Sequence, residues 1–430
     1  GGPGTGKTTC LEHVVDKVLE LRVAVALAAP TGKAARRLAQ ATGQPAKTLH
    51  SLLKGIPGEG FKYNKIKRLP VAVVIVDEAS MVDVKMLAAL MDALPDSARL
   101  LLIGDANQLP PVEAGQPFTD IIRSKAVPVG RLIKTYRQAG TSWVVDHATR
   151  MIAGRVPPLV TTEQGGFNFI EASGYEVPAI AEAIKAQAVQ IILAAYAGNG
   201  FASGEETVVL TPQKDKGAGA FNINVQAQRE RWRVEEVVRD YDGPVCFLHK
   251  GMWCVPGDPV MNLRNMTVYV SDDDPSAQRR EVDPEEFNID PEEREEIYLP
   301  NGAQGVCVKV EDLNHAQFEF DGKLVDLSRE SLDMTLAYAM TVHKSQGSGW
   351  DHVVVIVDPS HQFMLRNGGR QLMYTAITRT QDQLTIIGSK VAWELACRSQ
   401  MSNLRQTFLA QFNPNYGPEF IRQEKEKQAR

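Results

Sequence analysis

The chain opens with the stretch Gly1-Gly2-Pro3-Gly4-Thr5-Gly6-Lys7-Thr8, which matches the pattern G-x-x-x-x-G-K-[ST] at every fixed position. Glycines let such a loop curl until successive backbone N–H groups point at phosphate oxygens. The pattern predicts that Lys7 reaches the β and γ phosphates of a nucleotide and that the Thr8 hydroxyl ligates Mg²⁺. Apolar residues from Leu11 to Leu19 recur at helical spacing, so the positive end of a helix also faces the phosphates. A glycine-rich stretch can alternatively be a simple turn, but the helix that follows argues against that interpretation.

The other half of a phosphate site is expected where a buried strand ends. Val71–Val76 is continuously apolar and is followed directly by Asp77 and Glu78. We expect Asp77 to hold the Mg²⁺ shell and Glu78 to orient and deprotonate an attacking water. An Asp-Glu pair after a strand is also common as a helix cap. Together with the glycine-rich loop, the pair predicts hydrolysis of a nucleoside triphosphate.

Short, continuous apolar runs recur along the chain, as is typical of strands buried on both faces of a parallel sheet. These runs are Val23–Leu27, Val71–Val76, Leu100–Ile103, Val208–Leu210, Val353–Val357 and Leu384–Ile387. Helical patterns separate the runs, so the sequence predicts an α/β fold. Because one group of runs ends near residue 105 and the other begins near residue 205, we expect two parallel sheets in two domains.

The character of the sequence changes between residues 246 and 333. A turn cluster at Pro256–Pro259 precedes short β-prone runs, which predicts a small β module inserted into the second domain. Within the module, residues 271–296 are rich in Asp, Glu and Pro and are expected to form an exposed acidic loop. The predicted division is 1–130 for the first domain, 131–245 and 334–400 for the second, 246–333 for the module and 401–430 for a C-terminal tail.

Composition limits the function classes. The 430 residues are 43% hydrophobic and 23% charged, a mixture typical of soluble globular proteins with more than one core. No run approaches the roughly 18 uninterrupted apolar residues of a membrane-spanning helix, so no membrane partner is expected. Five scattered cysteines favour a reducing compartment, here the cytoplasm. The net charge is −5, yet residues 1–140 carry 19 Lys and Arg against 12 Asp and Glu, so a nucleic-acid partner stays open.

Six stretches then occur in a fixed order. They are Ala29–Ala35, Asp77–Ser80, Gly104–Val112, Thr135–Gln138, Thr341–Ser348 and Tyr374–Arg379. In residues and spacing they resemble motifs Ia, II, III, IV, V and VI of the RecD-like branch of superfamily 1 DNA helicases. The resemblance covers residues 1–390 and implies two RecA-like domains, an inserted SH3-like module and 5′-to-3′ movement on single-stranded DNA driven by ATP with Mg²⁺.

The resemblance also implies roles for individual residues. Lys7, Glu78 and Gln108 are expected in catalysis, and Arg137 and Arg379 are expected to neutralise charge on the γ-phosphate from the second domain. The expected nucleotide contacts are Gly1, Gly2, Pro3, Gly4, Thr5, Gly6, Lys7, Thr8, Thr9 and Gly347. The expected metal ligands are Thr8 and Asp77. The expected DNA contacts are Pro30, Thr31, Lys33, His50, Ser51, Lys62, Lys65, Thr341, His343 and Ser345.

Some of these assignments have alternatives. Thr341 and Ser345 lie in motif V, beside the nucleotide, and could couple the two sites instead of contacting DNA. Residues 55–69 are strongly basic and lie where RecD-like helicases carry a β-hairpin that meets the junction of single- and double-stranded DNA. The alternative interpretation of this segment is a solvent-exposed basic loop without a role in DNA binding.

The sequence also departs from the family pattern. Gly349 stands where relatives commonly carry an acidic residue, which puts the strength of coupling in doubt. No strand precedes Gly1, so we expect an N-terminally truncated chain. We also expect a monomeric motor, with further N-terminal domains or partner subunits. Two rival functions are a DNA-binding scaffold that has lost turnover, as in relaxase-associated domains, and a translocase that does not unwind duplex.

Overall fold

The computed structural model of the chain describes residues 1–56, 60–134, 142–161, 166–197, 207–234, 246–248, 252–271, 273–274, 296–299, 301–320, 322–329 and 331–399. Three predicted features fall outside this part of the chain. They are Arg137 with its motif, most of the acidic loop 271–296, and the tail 401–430.

Helices and strands alternate along much of the described chain. The helices are α1 (Lys7–Glu20), α2 (Gly32–Thr42), α3 (Leu49–Leu53), α4 (Val84–Ala93), α5 (Pro117–Ser124), α6 (Ser142–Ile152), α7 (Val177–Ala197), α8 (Ala220–Val234), α9 (Gln362–Arg366), α10 (Gly369–Ile377) and α11 (Lys390–Arg398). The strands before residue 250 are β1 (Val25–Ala29), β2 (Ala46–Thr48), β3 (Gly55–Ile56), β4 (Gly60–Phe61), β5 (Val73–Val76), β6 (Arg99–Leu102), β7 (Phe167–Glu171), β8 (Thr207–Thr211) and β9 (Cys246–Phe247). The later strands are β10 (Trp253–Cys254), β11 (Pro259–Asn262), β12 (Met266–Tyr269), β13 (Glu296–Leu299), β14 (Gln304–Val310), β15 (His315–Phe320), β16 (Lys323–Ser328), β17 (Met334–Leu336), β18 (Ala339–Thr341), β19 (Trp350–Val357) and β20 (Thr380–Gly388).

The first parallel sheet has the strand order β2-β1-β5-β6. Strand β5 lies between β1 and β6, and its residues Val74, Ile75 and Val76 are fully buried. Ala28 pairs with Val76 and Val76 pairs with Leu102, so these three strands end at the same level. The residues that follow them therefore lie along one edge of the sheet, which is where ligands of α/β sheets bind.

The second parallel sheet has the strand order β18-β8-β19-β20-β7. Strand β19 lies at its centre, and Val353 to Val357 are fully buried, as their continuous apolar sequence predicts. Thr341 pairs with Thr211 and Val357 pairs with Gly388, so the loops after β18, β8, β19 and β20 again share one edge. All six apolar runs singled out in the sequence overlap these two sheets, and the predicted α/β fold is confirmed.

A third sheet lies within residues 259–336 and is antiparallel, with the order β16-β15-β14-β11-β17. Phe318 and Phe320 belong to the same buried cluster as Ile223 and Ala227 of α8. The module therefore shares its core with a helix that covers the second parallel sheet. A separate antiparallel pair, β3 with β4, lies in the basic segment 55–69.

Among the described residues, α7 contains one stretch, Val177–Tyr196, that is long and apolar enough to cross a membrane by length and composition. This helix packs against α8 and the strands β8 and β20. Its Ile184, Ala188 and Val189 are fully buried in the cluster shared with the β module. Such contacts are those of a helix that packs one face against a globular domain.

Candidate active site

The glycine-rich loop folds around its own lysine. Gly4 and Gly6 have φ values of 66° and 76°, in the left-handed region that glycine adopts at little cost. The Thr5 hydroxyl donates to the Gly2 carbonyl over 2.9 Å, and Lys7 Nζ donates to the carbonyls of Gly1 and Gly2 over 2.7 and 2.8 Å. Helix α1 begins at Lys7, so the ammonium group lies at a helix N-terminus beside the curled loop. Thr8 and Thr9 in the first turn are exposed, and Pro3 is half-buried.

Asp77 and Glu78 come directly after β5 on the first sheet's edge. The Asp77 N–H donates to the Ala28 carbonyl over 3.0 Å, and the Glu78 N–H donates to Asp77 Oδ1 over 2.8 Å. Burial, followed by the neighbouring Glu78 carboxylate, raises the pKa of Asp77 to about 6, against the opposing positive charges of Lys7 and Arg37. The site therefore concentrates carboxylates in a poorly solvated place that faces a lysine, where a cation and a phosphate group are complementary.

Glu78 has a φ of 49°, a left-handed conformation that is uncommon for a residue with a side chain. Buried polar atoms without a hydrogen-bond partner among the described residues include Glu78 Oε2, Ser80 Oγ and Gln108 Oε1. An unpaired buried polar atom costs about 1–3 kcal/mol, a cost that a bound ligand or water at this position would remove. The two acceptor oxygens suit a divalent cation or a water, and the Ser80 hydroxyl can donate to a phosphate oxygen.

The second sheet contributes a buried guanidinium to the same place. Arg379 follows α10 and is 5% exposed, with Nη1 4.0 Å from Glu78 Oε1. Its Nε donates to the Thr375 carbonyl and its Nη1 to the Ser348 carbonyl, each over 3.2 Å. The structure thus places the predicted Arg379 of the second sheet beside the predicted Glu78 of the first, and the Lys7 charge acts on the adjacent Asp77.

The loop after β6 carries Gln108 and is contacted by residues that the sequence analysis gave no role. Asp105 is buried and accepts a 2.6 Å hydrogen bond from the Tyr374 hydroxyl. The Leu109 N–H donates to Thr375 Oγ1 over 2.9 Å. Both partners, Tyr374 and Thr375, lie within motif VI, and that motif is the sequence signal that could have identified them. The local sequence does not show which side chains of the motif face the first sheet.

The predicted DNA contacts of the first sheet fall into two groups. Thr31 caps α2 by accepting a 3.3 Å hydrogen bond from the Ala34 N–H, and Pro30 beside it is half-buried. Lys33 Nζ donates to Gln304 Oε1 of the β module over 3.2 Å and lies 4.7 Å from the ring centroid of Trp350. Lys33 therefore connects three sheets in this conformation, a contact that the sequence analysis missed.

The second group lies on and beside α3. His50 and Ser51 are exposed, and the His50 ring lies 5.9 Å from that of Phe61 in β4. Lys62 is also exposed, while Lys65 Nζ lies 3.6 Å from Asp92 Oδ1 in a solvent-exposed ion pair. Exposed pairs of this kind contribute at most about 1 kcal/mol, so both lysines stay accessible to a polyanion.

Motif V of the second sheet is more buried than the prediction of DNA contacts implies. Ser345 is fully buried, and its hydroxyl donates to the Val342 carbonyl over 2.7 Å. Thr341 and His343 are half-buried. His343 lines a cavity of about 230 Å³ with Leu109, Pro110, Pro111, Val112, Met364, Asn367, Gly368 and Leu372. Burial of Ser345 favours the coupling role over direct DNA contact.

Gly347 and Gly349 explain why motif V approaches α2 so closely. Gly347 has a φ of 75°, its carbonyl accepts a 3.2 Å hydrogen bond from Arg37, and a Cβ there would lie 3.1 Å from Thr31 Oγ1. A Cβ at Gly349 would lie 3.0 Å from Arg37 Nη2 and 3.1 Å from Gln381 Nε2. The unusual Gly349 thus leaves room for the Arg37 guanidinium. Gly347 thus lies against α2, and its predicted contact with the nucleotide stays a prediction.

Comparisons with known proteins match both ends of the chain. Residues 1–172 match a family model described as an AAA domain, and residues 336–387 match one described as a UvrD-like helicase C-terminal domain. An ATP-dependent RecD2 DNA helicase from Deinococcus radiodurans is 33% identical over 401 residues, covering 93% of this chain and 48% of the relative. The RecBCD enzyme subunit RecD from Mycolicibacterium smegmatis is 30% identical over 429 residues, covering 93% and 69%.

The chain therefore spans about half the length of the first of these relatives. Among solved structures, the Pif1 helicase from Bacteroides in complex with ADP-AlF3 and single-stranded DNA is 17% identical, with a TM-score of 0.45. That similarity covers 100% of this chain and 92% of the other.

Proposed function

The chain belongs to the RecD family of superfamily 1 helicases, and on that premise we propose that it is an ATP-hydrolysing motor. It moves 5′ to 3′ along single-stranded DNA and separates duplex at a junction of single- and double-stranded DNA. The relative from Deinococcus radiodurans is named an ATP-dependent DNA helicase, which supports the same activity here. The motor acts in the cytoplasm, on the nucleoid, as a monomer that further domains or partner subunits can extend.

One observation supports the proposal: Arg379 from the second sheet lies 4.0 Å from Glu78 of the first, beside Asp77, on whose carboxyl group the Lys7 charge acts. Lys7 neutralises the β and γ phosphates, and Glu78 takes the proton of the attacking water. Gln108 senses the γ-phosphate. Arg379, with Arg137, neutralises charge that develops on it, an effect worth roughly 10³–10⁵ in rate.

Thr8 and Asp77 would hold Mg²⁺. The backbone N–H groups of the glycine-rich loop would donate to the phosphate oxygens. When bound, the ion neutralises charge on the phosphate oxygens. The raised pKa of Asp77 supports this assignment, because a carboxyl group crowded by Glu78 gains most from a cation.

The DNA is gripped without reading its sequence. The exposed His50, Ser51 and Lys62 present an imidazole, a hydroxyl and an ammonium group near the β3–β4 pair, chemistry suited to backbone phosphates. This surface extends on the first domain to Pro30, Thr31, Lys33 and Lys65, and on the second domain to Thr341 and His343.

The two RecA-like domains are residues 1–130 and residues 131–245 with 334–400, and the module is residues 246–333. Closure of the cleft between the two RecA-like domains moves the DNA strand.

The test is an ATPase assay with and without single-stranded DNA, using Lys7→Ala. Loss of the phosphate-binding ammonium is expected to lower the turnover at least about a hundredfold. Lys17→Ala is the matched control, because Lys17 lies on the same helix in an exposed pair with Glu20. Turnover that does not respond to DNA would contradict the motor, and absence of turnover would favour a scaffold.

Strand displacement separates the helicase from a translocase. Duplexes with a 5′ single-stranded tail are expected to be unwound, and those with a 3′ tail are not. Equal displacement of both substrates contradicts the polarity, and displacement of neither, with ATPase intact, identifies a translocase.

A further inference from the structure

The loop 104–112 of the first domain is fastened to the second by three side chains. Tyr374 donates to Asp105 Oδ2 over 2.6 Å, and Thr375 Oγ1 accepts from the Leu109 N–H over 2.9 Å. Gln346 Nε2 donates to the Leu109 carbonyl over 3.2 Å. Every one of these groups is buried, so water does not compete for the bonds.

Asp105 shapes the turn that carries the predicted sensor Gln108. Its Oδ1 accepts from the Asn107 N–H over 3.0 Å, and its carbonyl accepts from the Gln108 N–H over 3.2 Å. With Oδ1 used inside the turn, Oδ2 is left for Tyr374. A change at the Tyr374 hydroxyl therefore acts on the conformation of the turn.

The same hydroxyl lies against the glycine-rich loop. A Cβ placed on Gly2 would be 3.5 Å from the Tyr374 oxygen, which is ordinary van der Waals contact. Burial, and then the Asp105 charge, raises the pKa of Tyr374, so the hydroxyl keeps its proton and can donate to the carboxylate. The Tyr374 hydroxyl thus lies beside the glycine-rich loop and is hydrogen-bonded to the turn that carries Gln108.

The far end of loop 104–112 faces a different surface. Pro110, Pro111 and Val112 line the cavity that His343 also lines. The loop therefore runs from the nucleotide side of the cleft, where Asp105 lies, to a surface that motif V shares.

We propose that Tyr374 is a positioning residue, which holds the Asp105–Gln108 turn in its catalytic conformation only while the two domains are closed. Opening of the cleft separates the hydroxyl from Asp105, withdraws Gln108 from the γ-phosphate and stops hydrolysis. Hydrolysis is thereby limited to the closed state, in which motif V also reaches loop 104–112 through Gln346. This inference rests on the proposed ATP-driven motor.

The test compares Tyr374→Phe with Tyr338→Phe. Tyr338 is the matched control because it lies away from the loop 104–112, is buried, and donates to the buried Asp258 over the same 2.6 Å. Both substitutions remove one hydroxyl and its bond to a carboxylate, and Tyr338→Phe also removes the 3.0 Å bond that Arg231 Nη1 donates, so the control should lower the unfolding midpoint at least as much. Only Tyr374→Phe is expected to lower the DNA-stimulated kcat, by about tenfold or more, with the KM for ATP changed much less.

A second variant, Asp105→Asn, keeps an oxygen that can accept from Tyr374 but weakens the bond. Its DNA-stimulated kcat should fall between those of the wild-type protein and Tyr374→Phe. If Tyr374→Phe does not fold, an Asp105→Asn kcat equal to the wild-type value would overturn the positioning role. Wild-type protein without DNA-stimulated ATPase would overturn the proposed function itself. An active wild-type protein with equal kcat for Tyr374→Phe and Tyr338→Phe, or a change confined to KM, would overturn the positioning role alone.

Discussion

Each parallel sheet has an aspartate directly after a buried central strand, and the two aspartates have different surroundings. Asp77 follows β5, is half-buried, and its Oδ1 accepts the N–H of the next residue. Asp358 follows β19 and is fully buried. Its Oδ2 accepts from the Ala218 N–H and its Oδ1 from the Ser360 N–H, each over 2.7 Å.

The loop after β8 therefore receives a carboxylate from its own chain. Gly217 lies against Asp358 so closely that a Cβ there would overlap Asp358 Oδ2 and Ser360 Oγ. In the first sheet, the loop before α1 instead curls around Lys7 and keeps its glycines at the surface of the cleft. The comparison teaches that a carboxylate saturated by backbone N–H groups stabilises a fold, whereas one crowded beside another carboxylate is available for chemistry.

The largest effect should come from Asp77→Asn, which tests the first half of the comparison. We expect the ATP turnover to fall about a thousandfold, because the cation that Asp77 would hold stabilises charge in the transition state. The unfolding midpoint at pH 8 should stay equal or rise, since the substitution removes a charge that burial disfavours. Turnover and thermal unfolding measured on the same sample check both expectations, and a large loss of stability would contradict them.

Asp358→Ala should give the opposite result. Two buried N–H groups lose a charged acceptor, so the free energy of unfolding should fall by about 3 kcal/mol. Denaturation in urea measures this change. The folded fraction should keep its ATP turnover at saturating ATP, and a turnover loss like that of Asp77→Asn would place Asp358 in the chemistry.

Gly217→Ala sharpens the account of the second loop. The new Cβ meets Asp358 and forces an alanine into a left-handed conformation with φ near 53°, so we expect a loss of about 2 kcal/mol. The control is Gly43→Ala, where φ is 63° and no atom lies within 4 Å of the new Cβ. The control should lose about 1 kcal/mol from backbone strain alone. Equal losses would show that the contact with Asp358 does not matter.

The smallest effect concerns pH and His361, which is fully buried beside Asp358. Its Nε2 donates to the Lys216 carbonyl over 2.6 Å, and burial lowers its pKa. The unfolded chain takes up a proton below its ordinary pKa of 6.5, while the folded chain resists, so stability is complete above that pH and falls as the pH falls. His361→Gln should lose less stability than the wild-type protein between pH 7.5 and 5.5, as thermal unfolding can measure. His147 and His352, whose pKa values are also lowered by burial, remain in both proteins.

Much of the fold was predictable because its signals are local. Val71–Val76 and Val353–Val357 are apolar throughout, and strands buried on both faces require that pattern. The geometry of the glycine-rich loop follows from Gly4 and Gly6, which adopt the left-handed conformations that such a loop needs. The sequence predicts Asp77 and Glu78 as site residues because they follow such a strand in a chain that also carries such a loop.

The hydrogen-bond partners of Asp358 and the contacts of Lys33 could not be predicted from local sequence. Asp358 follows a strand in the same way as Asp77, yet its partners Ala218 and Ser360 come from a loop 140 residues away and from the next turn. The sequence predicts that Lys33 contacts DNA, and it does not indicate that Gln304 and Trp350 approach this side chain from the module and the second sheet. A basic side chain looks the same in a sequence whether it faces solvent or a ring.

The sequence by itself determined the phosphate loop, the two sets of buried strands and the order of the motifs, because backbone conformation and apolar periodicity are properties of neighbouring residues. The tertiary structure alone decided which carboxylate is saturated and which is available, and that Tyr374 reaches Asp105 across 269 positions. Burial and hydrogen-bond partners depend on residues that the fold brings together from distant positions, and they set the electrostatics of each carboxylate.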